Sequence, residues 1–348
     1  MFKNLSKRIG IDLGTANILV YVVGEGVVLN EPTVVAVRAD DNKVVAVGQE
    51  AKEMLGRTPG NIVATRPLKD GVIADYVITQ DMLSYFIDKV SRKTKVPVSS
   101  IFRLKPEVMV CIPSGVTQVE KRAVLDATMA SGARSVYLIE EPLAAAIGAK
   151  IPIAQPNGHM ILDSGGGTTD IAVISLGGVV VHKSIKAAGN KLEEAISNYV
   201  RKRFNLLIGE RTAEEIKINI GTAMLEPKAE EKKMEIKGRD SVSGLPRSIE
   251  VNDKEVNEAI MPILKQMVAA IKETFEITPP ELASDIVDKG IVLSGGTSML
   301  HNLDKFITHE TGVPSYVAED PLYCVVRGTG VALENLELYK RSINRNEN

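Results

Sequence analysis

Along this chain, short apolar runs alternate with amphipathic stretches, and small residues mark the joins, a pattern that predicts alternating strands and helices. RIGIDLGTANILVYVVG, residues 8–24, sets two apolar runs around a small-residue turn and predicts a hairpin. PEVMVCIPSGV predicts a buried strand ending at Pro113, and TQVEKRAVLDATMASGA an amphipathic helix stopped by Gly132. VYLIEEPLAAAIGA reads as a strand followed by a helix with Pro142 in its first turn. DIVDKGIVLSGGTSMLHNLDKFI reads as strand, glycine turn and helix, with Met299, Leu300, Leu303, Phe306 and Ile307 on one face. Residues 32–76 and about 189–251 are denser in charged and turn-forming residues and read as smaller inserted subdomains.

The first hairpin recurs. IDLGTANILV from Ile11 can be laid beside LDSGGGTTDIAV from Leu162, with Asp12 matching Asp163. Two copies are too few for a solenoid, and 348 residues exceed what one core usually covers. The expectation is a pair of similar α/β domains facing each other across a cleft, each contributing one acidic hairpin.

Composition narrows the partners. A net charge of −2 shows no basic excess of the kind nucleic acid demands. Cys111 and Cys324 lie in separate apolar stretches and read as reduced core thiols, which fits a cytoplasmic address. The start, MFKNLSKR, lacks the apolar segment of a signal peptide, and no apolar run reaches the roughly 18 residues of a membrane span. His159, His182, His301 and His309 show no zinc-ligand spacing.

In ILDSGGGTTDIAV, Asp163 ends an apolar run and six small residues separate it from the next charge. Glycine lets backbone N–H groups approach polyphosphate, and a carboxylate at the start of the turn can hold Mg²⁺ through waters. A lone hairpin of this kind is more often a tight turn. A duplicated pair, Asp12 with Gly14 and Thr15, and Asp163 with Gly165, Gly166, Gly167 and Thr168, can clamp one phosphate chain from both sides. Neither a P-loop nor a dinucleotide fingerprint occurs. Glu141, just before Pro142, is placed to orient a water at the cleft floor or simply to complement a helix N-terminus; strand alternation turns Glu140 the other way. SGGTS, residues 294–298, offers backbone donors to a phosphate or a flat surface to a purine. In RTAEEIKINIG, Thr212 and Glu215 suggest a capping box, while Glu214 and Lys217 form either a helical ion pair or contacts to ribose and adenine.

These motifs, IDLGTAN, CIPSGVTQVEKRA, IEEPLAAAIGA, LDSGGGTTDIAV, AEEIK, LSGGTSML and CVVRGTG, together with stretches such as LNEPTVVAV and GRTPGNIVATRPLKDGVIADY, span nearly the whole chain. They resemble the MreB family of bacterial actins, within the actin-like ATPase superfamily. The resemblance implies a duplicated actin-like (ribonuclease H-like) α/β fold, two domains with a nucleotide cleft, each bearing a smaller subdomain. It implies subdomain IA over residues 1–31, 77–150 and 319–348, IB over 32–76, IIA over 151–188 and 252–318, and IIB over 189–251. It further implies ATP and Mg²⁺ as cofactors. Asp12 and Asp163 would hold the hydrated metal. Gly14, Thr15, Ala16 and Gly165, Gly166 and Gly167 would cradle phosphates, and Glu141 with Thr168 would position the hydrolytic water. Glu214, Glu215, Ile216 and Lys217, with Gly295, Gly296, Thr297 and Ser298, would form the adenosine pocket. Where eukaryotic actin has a phosphate-binding lysine in the first hairpin, this chain has Leu19 and Val20.

The family pattern implies head-to-tail, paired filaments of this chain, a contact that does not close on itself. It also implies work with cell-wall synthesis and elongation proteins at the inner face of the plasma membrane, in support of rod shape. The residues give that surface two sources: Ile101 and Phe102 flanked by Lys93, Lys95, Arg103 and Lys105, and Met1, Phe2 and Leu5 beside Lys3, Lys7 and Arg8. Packing of Ile101 and Phe102 on the core is an equal alternative from the residues alone. Two rival classes share the motifs. A small-molecule kinase of this fold would carry extra substrate lobes, and a heat-shock-type chaperone would carry a long peptide-binding region after Asn348.

Overall fold

The computed structural model describes residues 6–92, 105–227, 230–339 and 343–345. Its frame is one strand arrangement used twice. In the first lobe Arg8–Leu13 pairs antiparallel with Asn17–Val22, which pairs antiparallel with Gly26–Pro32. On its other side Arg8–Leu13 runs parallel to Glu107–Ile112, and that strand parallel to Ser135–Glu140. The second lobe repeats these senses: His159–Ser164, Thr169–Ser175 and Gly178–Ile185 form the antiparallel meander, and Ile291–Ser294 and Ser315–Val317 add in parallel. A short strand, Asn344–Arg345, closes the far edge of the first sheet.

The repeat extends to register. The first hairpin closes at Leu13 opposite Ile18, the second at Ser164 opposite Thr169, so each has a four-residue loop with its aspartate one position before. Parallel neighbours require crossovers. Helix Gln118–Ala130 supplies one, started by a capping box between Thr117 and Glu120 and ended near Gly132 at φ 101°.

Each lobe has its own apolar core, and a third cluster joins them. Met109, Cys111 and Ile139 from the first sheet and Ile161, Ala172 and Val292 from the second converge on helices Glu141–Gly148 and Cys324–Glu334. These helices cross at backbone distance: a Cβ on Gly148 would overlap the Cys324 carbonyl, and one on Gly328 the Ala144 carbonyl. Both cysteines are buried and unbridged. Small three-stranded sheets lie outside the main pair, one from Val35–Arg38, Val44–Val47 and Ile62–Thr65, the other from Leu206–Leu207, Lys233–Asp240 and Pro246–Asn252. Among the described residues no helix is long and apolar enough to cross a membrane.

Two local expectations fail. Met299 is 65 % exposed while Leu300, Leu303, Phe306 and Ile307 are buried. The segment is a 3-10 turn, Gly296–Met299, and a separate helix from Leu303, broken at Asn302 with φ 59°, so one helical period does not run through it. Thr212 and Glu215 make no capping box, because the helix already starts at Glu210 after Gly209 and Thr212 lies inside it.

Candidate functional site

The two hairpin loops meet. A Cβ on Gly167 would overlap the Thr15 hydroxyl, and one on Gly166 would lie 2.6 Å from the Ala16 Cβ. Small residues are therefore required for this approach, whatever else the loops do. Their carbonyls are anchored from behind. Thr33 donates to Gly14 O (2.7 Å) and, through its N–H, to Ala16 O (2.9 Å). In the second loop Gly189 N and Thr297 Oγ1 donate to Gly165 O (3.1 and 2.7 Å), and Asn190 N to Gly166 O (2.8 Å). Carbonyls held this way leave the opposite side of each loop free of their negative ends.

Beside the loops lies a group of acids: Glu141 and Asp163 each feel the charge of neighbouring acids, while His182 acts favourably on Asp170. Asp163 is buried, and one of its carboxylate oxygens has no hydrogen-bond partner. Burial pushes its pKa up to about 8, with Asp12 and Asp170 adding to the rise and a hydrogen bond from Ser294 opposing it. Asp12 is pushed up to about 6 by burial, partly offset by the Cys111 thiol, which donates to its Oδ1 at 3.3 Å. Asp170, fully buried, is also pushed up to about 6 by burial, against a hydrogen bond from Ser114 N at 3.0 Å. Glu141 rises well above the ordinary carboxylate range, first through burial and then through Asp170, Asp12 and Asp163. Carboxylates gathered in this way are unfavourable unless protonated or joined by a cation. Among the described residues no three acids, cysteines or histidines stand close enough to cage a metal directly. A hydrated hard cation touching one or two carboxylates, as Mg²⁺ prefers, fits this donor set.

Glu141 reaches this group by strand alternation. Ser135–Glu140 ends one residue before it, helix Glu141–Gly148 begins with it, and Pro142 fixes the first turn. Glu140 accepts from Ser114 Oγ at 3.3 Å, the residue whose N–H donates to Asp170. Thr168 is buried and lies against the Asp70–Gly71 turn, where a Cβ on Gly71 would stand 3.0 Å from its methyl group. Gly71 N donates to Thr15 Oγ1 at 2.9 Å, so this turn touches both loops.

The remaining predicted residues gather in the second lobe. A Cβ on Gly189 would lie 3.0 Å from Thr297 Oγ1 and 3.3 Å from the Lys217 ammonium, which brings the loop after Ser294, the helix Gly189–Phe204 and the helix Glu210–Ile220 to one spot. Gly295 at φ 82° presses on the Ser164 backbone, leaving no room for a side chain, and the Ser298 hydroxyl folds back to Gly295 O. Gly296 opens the 3-10 turn. Glu214 and Lys217 do not pair with each other: Glu214 pairs with Lys52, and Lys217 with Glu193. Glu215 points to solvent and pairs with Arg211, and Ile216 is buried in the second-lobe core.

Sequence reasoning passed over Asp170, Cys111 and Gly71. Asp170 stands where the first hairpin has Leu19, opposite the aspartate in each register. The departure from the repeat was its signal. Ile101, Phe102, Met1, Phe2 and Leu5 lie outside the described residues.

Comparison with known proteins agrees with this architecture. The family model described as MreB/Mbl protein matches residues 6–341. The chain is 52 % identical over 339 residues to the cell shape-determining protein Mbl of Bacillus subtilis (strain 168), covering 97 % of this chain and 99 % of that protein. It is 51 % identical over 338 residues to the cell shape-determining protein MreB of Escherichia coli (strain K12), covering 96 % and 95 %. The crystal structure of MreB 5 of Spiroplasma citri bound to AMPPNP superposes with a TM-score of 0.88 at 39 % identity, covering 97 % of this chain and 98 % of that one. A MamK double helical filament shares the fold, with a TM-score of 0.77 at 20 % identity over 94 % of this chain and 99 % of that one. The chain belongs to the MreB/Mbl family of actin-like, cell shape-determining proteins.

Proposed function

We propose that this chain binds and slowly hydrolyses ATP in the cleft where its two hairpins meet, and that it assembles into membrane-associated filaments that organise cell-wall synthesis and rod shape. One observation carries the nucleotide reading. Two matching turns, with their carbonyls drawn away, flank a cluster of carboxylates raised by burial and, at Glu141 and Asp163, by one another's charge. Nucleotide-bound structures of MreB5, with ADP and with AMPPNP, support it.

In this reading Gly14, Thr15 and Ala16 and Gly165, Gly166 and Gly167 present backbone N–H groups to the phosphates. Asp12 and Asp163 would hold hydrated Mg²⁺, which when bound supplies positive charge to the polyphosphate. Glu141, with Thr168 beside it, orients the attacking water toward the γ-phosphate. Positioning and charge neutralisation are what phosphoryl transfer chiefly requires. Gly295, Gly296, Thr297, Ser298, Glu214, Glu215, Ile216 and Lys217 belong to the adenosine side. The subdomain limits stated from sequence serve as our division of the chain, with the cleft between IA and IIA. Head-to-tail association is supported by the filament of the fold relative MamK. A membrane surface met through Ile101, Phe102 and the amino-terminal apolar residues, at the inner face of the plasma membrane, completes the proposal; many weak anchors in one filament would act together.

Purified chain mixed with ATP and Mg²⁺, with and without anionic liposomes, should bind nucleotide, release phosphate and sediment as filaments. Tight binding of a small phosphate acceptor with no assembly under any of these conditions would favour a kinase instead.

A further inference from the structure

Helix Glu210–Ile220 faces the first lobe with two acids one turn apart, and each meets a cation there. Lys52, in the last turn of helix Gln49–Met54, places its ammonium 2.7 Å from Glu214 Oε2 and 3.0 Å from Oε1. Arg66 Nε lies 3.7 Å from Glu210 Oε2, and Lys186 Nζ 3.6 Å from Asp70 Oδ2. All three pairs tie residues 32–76 to the second lobe. They differ in shielding: the Lys52 and Glu214 side chains are 25 % and 30 % exposed, whereas Glu210 is 74 % and Lys186 68 % exposed. Pairs well out in solvent hold little, so the Lys52 pair dominates the crossing.

We infer that Lys52 is a latch on the nucleotide site: it positions Glu214 from the opposite lobe and keeps the cleft mouth closed, so that nucleotide leaves only after this pair opens. The inference rests on the reading that Glu214 faces the adenosine. A carboxylate has about four lone-pair sites, and Lys52 engages both oxygens without filling them, leaving acceptor capacity for donors such as ribose hydroxyls. The nearby Lys217 is already engaged by Glu193 and does not replace Lys52. Lys52 is a positioning residue; it touches Glu214 and none of the buried carboxylates that surround Glu141.

The test uses the full chain loaded with a fluorescent ATP analogue and Mg²⁺, chased with unlabelled ATP in a stopped-flow instrument at low and high salt. Wild type should release the analogue faster at high salt. Lys52→Met should release it roughly three- to tenfold faster than wild type at low salt, with little further response to salt, while Lys52→Arg stays near wild type. Single-turnover cleavage of bound ATP should be the same in all three, which separates a latch from general damage to the site. Equal release rates for wild type and Lys52→Met at both salts, with binding intact, overturn the latch and leave the site reading standing. Failure of wild type to bind the analogue overturns both. Should Lys52→Met not fold, wild type decides alone: a release rate indifferent to salt overturns the latch.

Discussion

Gly167 lies against Thr15 so closely that a side chain on the glycine would overlap the threonine hydroxyl, the same hydroxyl that accepts from Gly71 N. The two lobes therefore touch, glycine against threonine side chain, at the point where the phosphates are proposed to sit. Gly167→Ala has to push these strands apart, at a cost of about 1–3 kcal/mol for an overpacked contact. Urea unfolding should show that loss, and calorimetry should show at least a tenfold weaker affinity for Mg·ATP. Unchanged affinity in a destabilised variant would mean that the contact serves folding only.

Glu141 sits among acids that repel it, which is unfavourable for stability in the absence of ligand. Glu141→Gln should raise the melting temperature of the nucleotide-free chain while slowing phosphate release by about a hundredfold or more, the usual range for losing a positioned proton acceptor. ATP affinity should stay nearly unchanged. Calorimetry and a phosphate-release assay measure the two halves separately, and unchanged turnover would remove Glu141 from its proposed role.

Metal dependence should reside largely in Asp163, whose unpartnered oxygen is buried. Wild type should gain thermal stability from ATP with Mg²⁺ and much less with a chelator present. Asp163→Asn should melt higher than wild type without ligand, yet lose most of that Mg²⁺-dependent gain. A full gain in the variant would place the ion elsewhere.

Gly148 and Gly328 predict the largest effect on stability. Either alanine variant drives a methyl group into the facing carbonyl of the other helix, Cys324 O or Ala144 O. A displacement of buried backbone costs about 3 kcal/mol or more. Gly148→Ala should be recovered mainly as aggregate, or with a melting temperature several degrees lower, whereas alanine at Gly60, where a Cβ meets nothing within 4 Å, should leave the melt unchanged.

His159 gives the chain a mild acid sensitivity. Burial first, and then the neighbouring Lys289, hold its pKa below the ordinary 6.5, with Asp285 opposing. The folded state therefore prefers the neutral ring. Its contribution is complete above pH 6.5 and is lost as the pH falls below that value toward the folded pKa, because the unfolded chain takes up the proton first. Stability measured from pH 7.5 to 5 should fall more steeply for wild type than for His159→Gln. Parallel curves would contradict this.

How much of the site was legible depended on whether each residue obeyed a local rule. Asp12 and Asp163 stand out because the same turn occurs twice, and Glu141 because strand alternation and Pro142 separate it from Glu140. Asp170 breaks the repeat at Leu19, and only strand register shows that it faces Asp163. Cys111 reaches Asp12 from a parallel strand about a hundred residues away, a contact set by topology that no local pattern encodes. Glu214 and Lys217 have ideal helical spacing for each other, yet each is taken by a side chain from another element, because the pair lies at a junction and not on an open helix face. Met299 was misplaced because a left-handed residue at Asn302 resets the helical phase.

The crossing of helices Glu141–Gly148 and Cys324–Glu334 has a mechanical meaning. At Gly148 and Gly328 backbone rests on backbone, so at those two points a small change in the angle between lobes meets no side chain that has to change rotamer. Turning the lobes about those points loads the rim as well as the shared apolar cluster, and at the rim charged side chains bridge the lobes where dissolved ions can loosen them.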